Sequence, residues 1–189
     1  MGQTSPTKQS YAREWKLAKQ AASNCYKNFA TEINKVKQAK DGLTGQQITN
    51  WLSCSPNFIG CYAENELSNL TITSFPSYLV VNIDSNDLPG SHWIALGIFK
   101  ETIEIFDPLG FDIFNWSHVP CHLLDFLHRL SVTRHVHTAP KIQSRGHLCG
   151  FYAIFYVIVR KFINFNCLTN IFCSKSNNDK ILYQFFKND

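Results

Sequence analysis

Apolar positions between residues 10 and 40 recur every three or four: Trp15, Ala18, Ala22, Tyr26, Phe29, Ile33 and Val36. That period places them on one face, and few breakers interrupt it, so a helix is predicted over 10–40. Asp41-Gly42 reads as its stop and as a linker. Thr44 then caps a short helix near 45–53, with Gln47 three residues on as its capping-box partner. Ser55-Pro56-Asn57 ends it. Strands are predicted at 78–83, 92–99 and 102–106, separated first by the turn chemistry of Ser85 to Gly90 and then by Lys100-Glu101. Residues 119–130 predict a helix, 132–138 a further strand, and 178–187 an amphipathic helix. Cys149 opens an apolar run to Ile163, long enough for a buried helix. Strands grouped in the middle with helices on either side predict an α+β fold.

Composition narrows the class. The chain has 189 residues and is 44% hydrophobic, enough for one domain with a real core, which argues against disorder. No run approaches the ~18 apolar residues that span a bilayer, so no membrane span is expected. The first 20 residues carry Lys8, Arg13, Lys16 and Lys19 and no apolar stretch, so no secretory signal is read there. Seven cysteines are an odd number with no Cys-x-x-Cys, and such usage fits free thiols in a reducing, intracellular compartment. His135-x-His137 and His147-x-Cys149 lack a second ligand pair at finger-like spacing, so no metal site is assigned.

Charge divides the chain. Residues 1–41 carry Lys8, Arg13, Lys16, Lys19, Lys27, Lys35, Lys37 and Lys40 against Glu14, Glu32 and Asp41. Residues 42–189 are nearly neutral. The expected organisation is a basic helical extension (1–41) on a folded body (42–189), with the basic side chains available to DNA.

Four residues carry candidate chemistry. Cys149 precedes Gly150 at a predicted helix start, where the helix dipole and unpaired amides favour a thiolate. Gly150 would let a substrate backbone approach closely. His92 follows the Pro89-Gly90-Ser91 turn and begins an apolar strand beside Trp93, a setting that suits a general base. Asp107 ends the next strand. If the two strands form a hairpin, Asp107 lies near His92 and would fix its tautomer. Gln143, six residues before Cys149, offers a side-chain amide that with the Cys149 N–H would make an oxyanion hole. Each residue alone is also an ordinary structural feature; Asp107-Pro108-Leu109-Gly110, for one, is a common turn signal.

The ordered set His92-Trp93, Asp107-Pro108-Leu109-Gly110-Phe111, Gln143 and Cys149-Gly150 resembles the adenovirus protease (adenain) family, which is related to the SUMO-deconjugating ubiquitin-like proteases. Thr44-Gly45-Gln46-Gln47, Pro56 to Gly60 and Val80-Val81-Asn82 extend the resemblance, which covers about residues 44–165. It implies a papain-like α+β fold with a central mixed sheet flanked by helices. Cys149 would be the nucleophile, His92 the base, Asp107 its orienter and Gln143 an oxyanion donor, with Trp93 and Gly150 beside the substrate. Asp at position 107 is similar to the deconjugating branch, since the adenoviral member has Glu.

The resemblance further implies cleavage after glycine, no cofactor for the chemistry, and DNA and a short peptide as activators. The expected protein is therefore a monomeric cysteine endopeptidase of a virus or virus-like transposon, in the nucleus or virion, that matures capsid precursors. Two alternatives stay open: an isopeptidase that removes a ubiquitin-like modifier, and an inactive binding module on the same fold.

Overall fold

The structure, a computed structural model, describes residues 8–25, 42–111, 113, 119–130, 132–138, 141–144, 146–172 and 178–187. In chain order these form α1 (Lys8–Cys25), α2 (Gly45–Leu52), β1 (Phe58–Ala63), a 3-10 helix (Glu64–Asn69), β2 (Ser77–Asn82), β3 (Trp93–Ile98), β4 (Thr102–Phe106), α3 (Cys121–Arg129), β5 (Arg134–His137), α4 (Cys149–Val159), α5 (Phe165–Ile171) and α6 (Asn178–Phe186).

The five strands form one mixed sheet in sequence order. β1–β2 and β4–β5 are parallel, while β2–β3 and β3–β4 are antiparallel. Strand alternation splits the apolar residues between two cores. Tyr78, Val80, Ala95 and Phe106 face α4, all eleven residues of which are buried. Leu79, Val81, Leu96, Ile103 and Ile105 face the opposite way, onto Leu123, Phe126 and Leu127 of α3. A helix hydrophobic on every side needs cover on every side. The sheet, α1, α2 and α6 supply much of it.

α1 belongs to that cover. Ala18 and Ala22 are buried, and the Trp15 ring lies 5.9 Å from Phe155 and 5.2 Å from Phe185, centroid to centroid. The helix expected over 10–40 is seen from Lys8 to Cys25, and residues 26–41 lie outside the described residues. α2 carries the expected capping box: Thr44 Oγ1 accepts from the Gln47 amide, and Gln47 Oε1 accepts from the Thr44 amide. β1, the 3-10 helix and α5 are additions to the expected elements. The apolar run from Cys149 leaves the helix at Val159, four residues before Ile163, where Arg160 caps it. No helix among the described residues is long and apolar enough to cross a membrane.

Candidate active site

The hairpin β3–β4 brings His92 and Asp107 together. Ala95 pairs with Phe106, so the residue before β3 and the residue after β4 share one end of the sheet. His92 extends the β2–β3 ladder by accepting from the Ile83 amide at 3.1 Å. The approach to it turns at Gly90, whose φ of 81° and lack of Cβ are both needed, because a Cβ there would stand 2.4 Å from Asn82 Nδ2. The His92 ring is buried, and its Nε2 lies 2.7 Å from Asp107 Oδ1.

Asp107 is itself held on every side. Oδ1 also accepts from the Leu109 amide at 2.7 Å, and Oδ2 from the Phe111 amide at 3.2 Å. Its backbone N–H donates to Thr138 Oγ1 at 2.8 Å, and the Thr138 hydroxyl donates back to the Asp107 carbonyl at 2.5 Å. The Asp-Pro-Leu-Gly segment is thus both a turn and a cradle for the carboxylate, with Gly110 at a φ of 71° closing it.

Cys149 is the first residue of α4 and is 3% exposed. No side chain caps this helix start, so its first-turn amides are left for a ligand. His92 bonds Asp107 and also interacts with Cys149. With Nε2 bonded to Asp107, Nδ1 is the remaining ring nitrogen. Burial works against a charge on the ring. The interactions with Asp107 first and Cys149 second outweigh it, raising the His92 pKa from 6.5 to about 9. Cys149, His92 and Asp107 are all buried, and the raised His92 pKa favours the imidazolium form at neutral pH.

Gln143 is buried in the loop ahead of α4. Its amide donates to the Pro108 carbonyl at 2.9 Å, and the Ile142 amide donates to the same oxygen at 3.0 Å. Asn178 Nδ2 donates to the Ile142 carbonyl at 2.9 Å from the other side. The loop is therefore fixed to the Asp107 turn and to α6.

A groove of about 770 Å³ opens over Cys149. Gly45, Gln46, Gly90, Trp93 and His147 contribute to its walls. Trp93 is pinned there by donating Nε1–H to the Leu43 carbonyl at 2.8 Å. Cys61 also lines this groove, but burial first and the charge of Glu66 second push its thiol up to about 12. It stays protonated at neutral pH and makes a poor nucleophile.

Gly150 is buried, and a Cβ there would come within 3.1 Å of Leu43 Cβ and 3.3 Å of Ile48 Cδ1. The glycine lets α4 pack closely against the start of α2. On α1, Arg13 and Lys16 are exposed and Lys19 is half-buried. Lys8 opens that helix, while Lys27, Lys35, Lys37 and Lys40 lie outside the described residues. Sequence reasoning missed Thr138 and the Leu109 and Phe111 amides. The end of a predicted strand at 138 is the one signal that pointed there.

The chain matches no protein-family model and no curated protein. Among solved structures it is similar to the ASFV pS273R protease, at 17% identity over 78% of this chain and 67% of that one, with a TM-score of 0.54. It also aligns with the central domain of the uncharacterized Lpg1148 protein from Legionella pneumophila (14% identity, 78% and 96% covered, TM-score 0.46). A third alignment is with the SUMO protease Ulp1 (14% identity, 97% and 98% covered, TM-score 0.44). The chain shares its fold with the ASFV pS273R protease, and that fold is α+β with a mixed sheet flanked by helices, as the sequence resemblance implies.

Proposed function

We propose that the protein is a cysteine endopeptidase that cuts after glycine in capsid precursor proteins of a virus or virus-like transposon. The observation that carries the reading is His92 bonded to Asp107 and interacting with Cys149, which lines an open groove. Cys149 Sγ attacks the scissile carbonyl carbon as the thiolate of a thiolate–imidazolium pair. The Cys149 amide and the Gln143 side-chain amide hold the oxyanion. His92 gives its proton to the leaving amine, and the acyl group remains as a thioester on Cys149. His92, now neutral, takes a proton from water, which attacks the thioester, releases the acid and restores the thiolate. Asp107 keeps the imidazole facing the sulfur throughout. Trp93 narrows the groove, which suits a substrate residue without a side chain.

The test is selective alkylation followed by cleavage. Iodoacetamide should label Cys149 ahead of Cys54, Cys61, Cys121 and Cys167, and Gly-containing peptides should be cut by the wild type and not by Cys149→Ala. A Cys149 no more reactive than the others would leave a binding module. Release of a modifier ending in Gly-Gly, with capsid peptides untouched, would move the activity to an isopeptidase.

The reading extends to DNA held by the exposed basic face of α1, where Arg13 and Lys16 lie opposite the buried Ala18 and Ala22. Deleting residues 1–41 would strip Trp15 from the core, so charge reversal is the cleaner test. Arg13→Glu with Lys16→Glu should flatten the salt dependence of DNA binding by about two units of log–log slope. An unchanged slope would remove DNA from the reading.

A further inference from the structure

Glu64 begins the 3-10 helix, while Cys121 and His122 begin α3, 57 residues further on. The fold packs these two helices together. One donor atom from each of the three side chains lies within 4.8 Å of the others, the one such group among the described residues. Glu64 is buried, yet its Oε2 has no hydrogen-bond partner. A buried carboxylate oxygen left without a donor is costly, and a cation is the ligand that would satisfy it.

We infer that Glu64, Cys121 and His122 bind a zinc-class divalent ion that pins the 3-10 helix bordering the groove to α3. Zinc sits about 2.0–2.3 Å from its ligands, so neighbouring ligand atoms stand roughly 3.5 Å apart, and side-chain rotation closes the present gap. One oxygen, one nitrogen and one sulfur donor form a borderline-soft set, which calcium and magnesium do not favour. Ser68 Oγ lies 3.0 Å from His122 Nδ1 and holds the ring, the outer support that metal-bound histidines use. The site stands at the start of α3, whose half positive charge opposes a cation. The carboxylate and the thiolate formed on binding outweigh it. Cys121 is exposed and His122 half-buried, which gives the ion a way in and leaves its fourth position to water.

The consequence lies next door. Ala63 and Glu66, on either side of Glu64, line the groove, and the Glu64 amide donates to the Asp84 carbonyl at 3.2 Å. A metal here would stiffen that wall without touching His92 or Cys149. The inference stands whether or not the groove hydrolyses peptides.

The experiment uses the full-length Cys149→Ala chain, so that the groove thiol does not compete, reduced with a phosphine. Cobalt(II) added to it should bind one equivalent with tetrahedral d–d bands and a thiolate-to-cobalt charge-transfer band, and zinc should displace it. Cys121→Ser, an exposed change that leaves folding intact by circular dichroism, should lose the charge-transfer band. Glu64→Gln should weaken binding by about tenfold or more. Zinc should raise the melting temperature of the Cys149→Ala chain and leave that of its Cys121→Ser version unmoved. An unaltered cobalt spectrum in Cys121→Ser, or no one-equivalent binding, would overturn the inference.

Discussion

Two carboxylates three residues apart invite comparison: Glu104 on β4 and Asp107 just past it. Both are buried, and both bond a basic side chain. Glu104 takes Arg160 through Nε at 2.6 Å and Nη2 at 2.8 Å, and the Tyr156 hydroxyl at 2.8 Å. Asp107 takes His92. A guanidinium does not give up its proton, so the first pair is a fixed brace between the sheet and α4. An imidazolium does, so the second pair can pass a proton on. Access divides them as well. Cys149, which interacts with His92, lines the groove, while Tyr156, bonded to Glu104, is sealed inside against Gly97, where a Cβ would meet its oxygen at 2.1 Å. Burial and an opposite charge therefore do not mark a reactive carboxylate. A partner that can exchange a proton beside open space does.

The contrast can be broken at several strengths. The largest effect is expected at the thiol: Cys149→Ala should lower peptide cleavage on the order of 10⁶-fold while its melting temperature stays near that of the wild type. Asp107→Ala should follow at about 10⁴-fold in kcat/KM. Full activity in that variant would show that the reactive carboxylate is another one. Glu104→Ala should do the reverse. It leaves the half-buried Arg160 without its anion and the buried Tyr156 hydroxyl without its acceptor, and should cost about 3 kcal/mol in denaturant unfolding, with cleavage per folded molecule little changed. If Glu104→Ala were stable and inactive, the two roles would be exchanged. Gln143→Ala should lower kcat by roughly 10–1000-fold without altering the unfolding midpoint.

The mildest test is titration. His92 binds its proton more tightly folded than unfolded, so its contribution to stability is full below pH 6.5 and is lost as pH rises through about 9. Melting temperature should therefore fall across that window, and less so in Asp107→Asn. The alkaline limb of kcat/KM should lie near pH 9. Identical pH profiles in both chains would detach Asp107 from the His92 proton.

Much of this arrangement is legible in the sequence because it rests on local signals. Alternation and turn residues define β3 and β4, and a hairpin alone is enough to set His92 beside Asp107. Thr44 and Gln47 declare the start of α2 for the same reason. What is hidden is hidden by distance or by mixed exposure. All six residues of β1 are half-exposed, and Gly60 and Cys61 break its apolar pattern, so nothing in Phe58–Ala63 alternates. Thr138 acts through the backbone of Asp107, 31 residues away, and the end of a predicted strand is the one local sign of it. The partnership of Glu104 with Arg160 spans 56 residues and depends on the sheet being covered by α4. The packing of Gly150 against Leu43 and Ile48 is hidden in the same way, since those residues lie about a hundred positions earlier in the chain.

The Pro108 carbonyl, which receives both the Ile142 and the Gln143 amides, has a mechanical consequence. It makes the turn that carries Asp107 a shared datum for the loop that carries Gln143. When that turn is displaced, both residues travel with it, as two fittings on one bracket do. The displacement is common to them and cancels from their separation. Tolerance between orienting carboxylate and loop amide is then set by two short hydrogen bonds to one oxygen, and not by the summed play of every element lying between them.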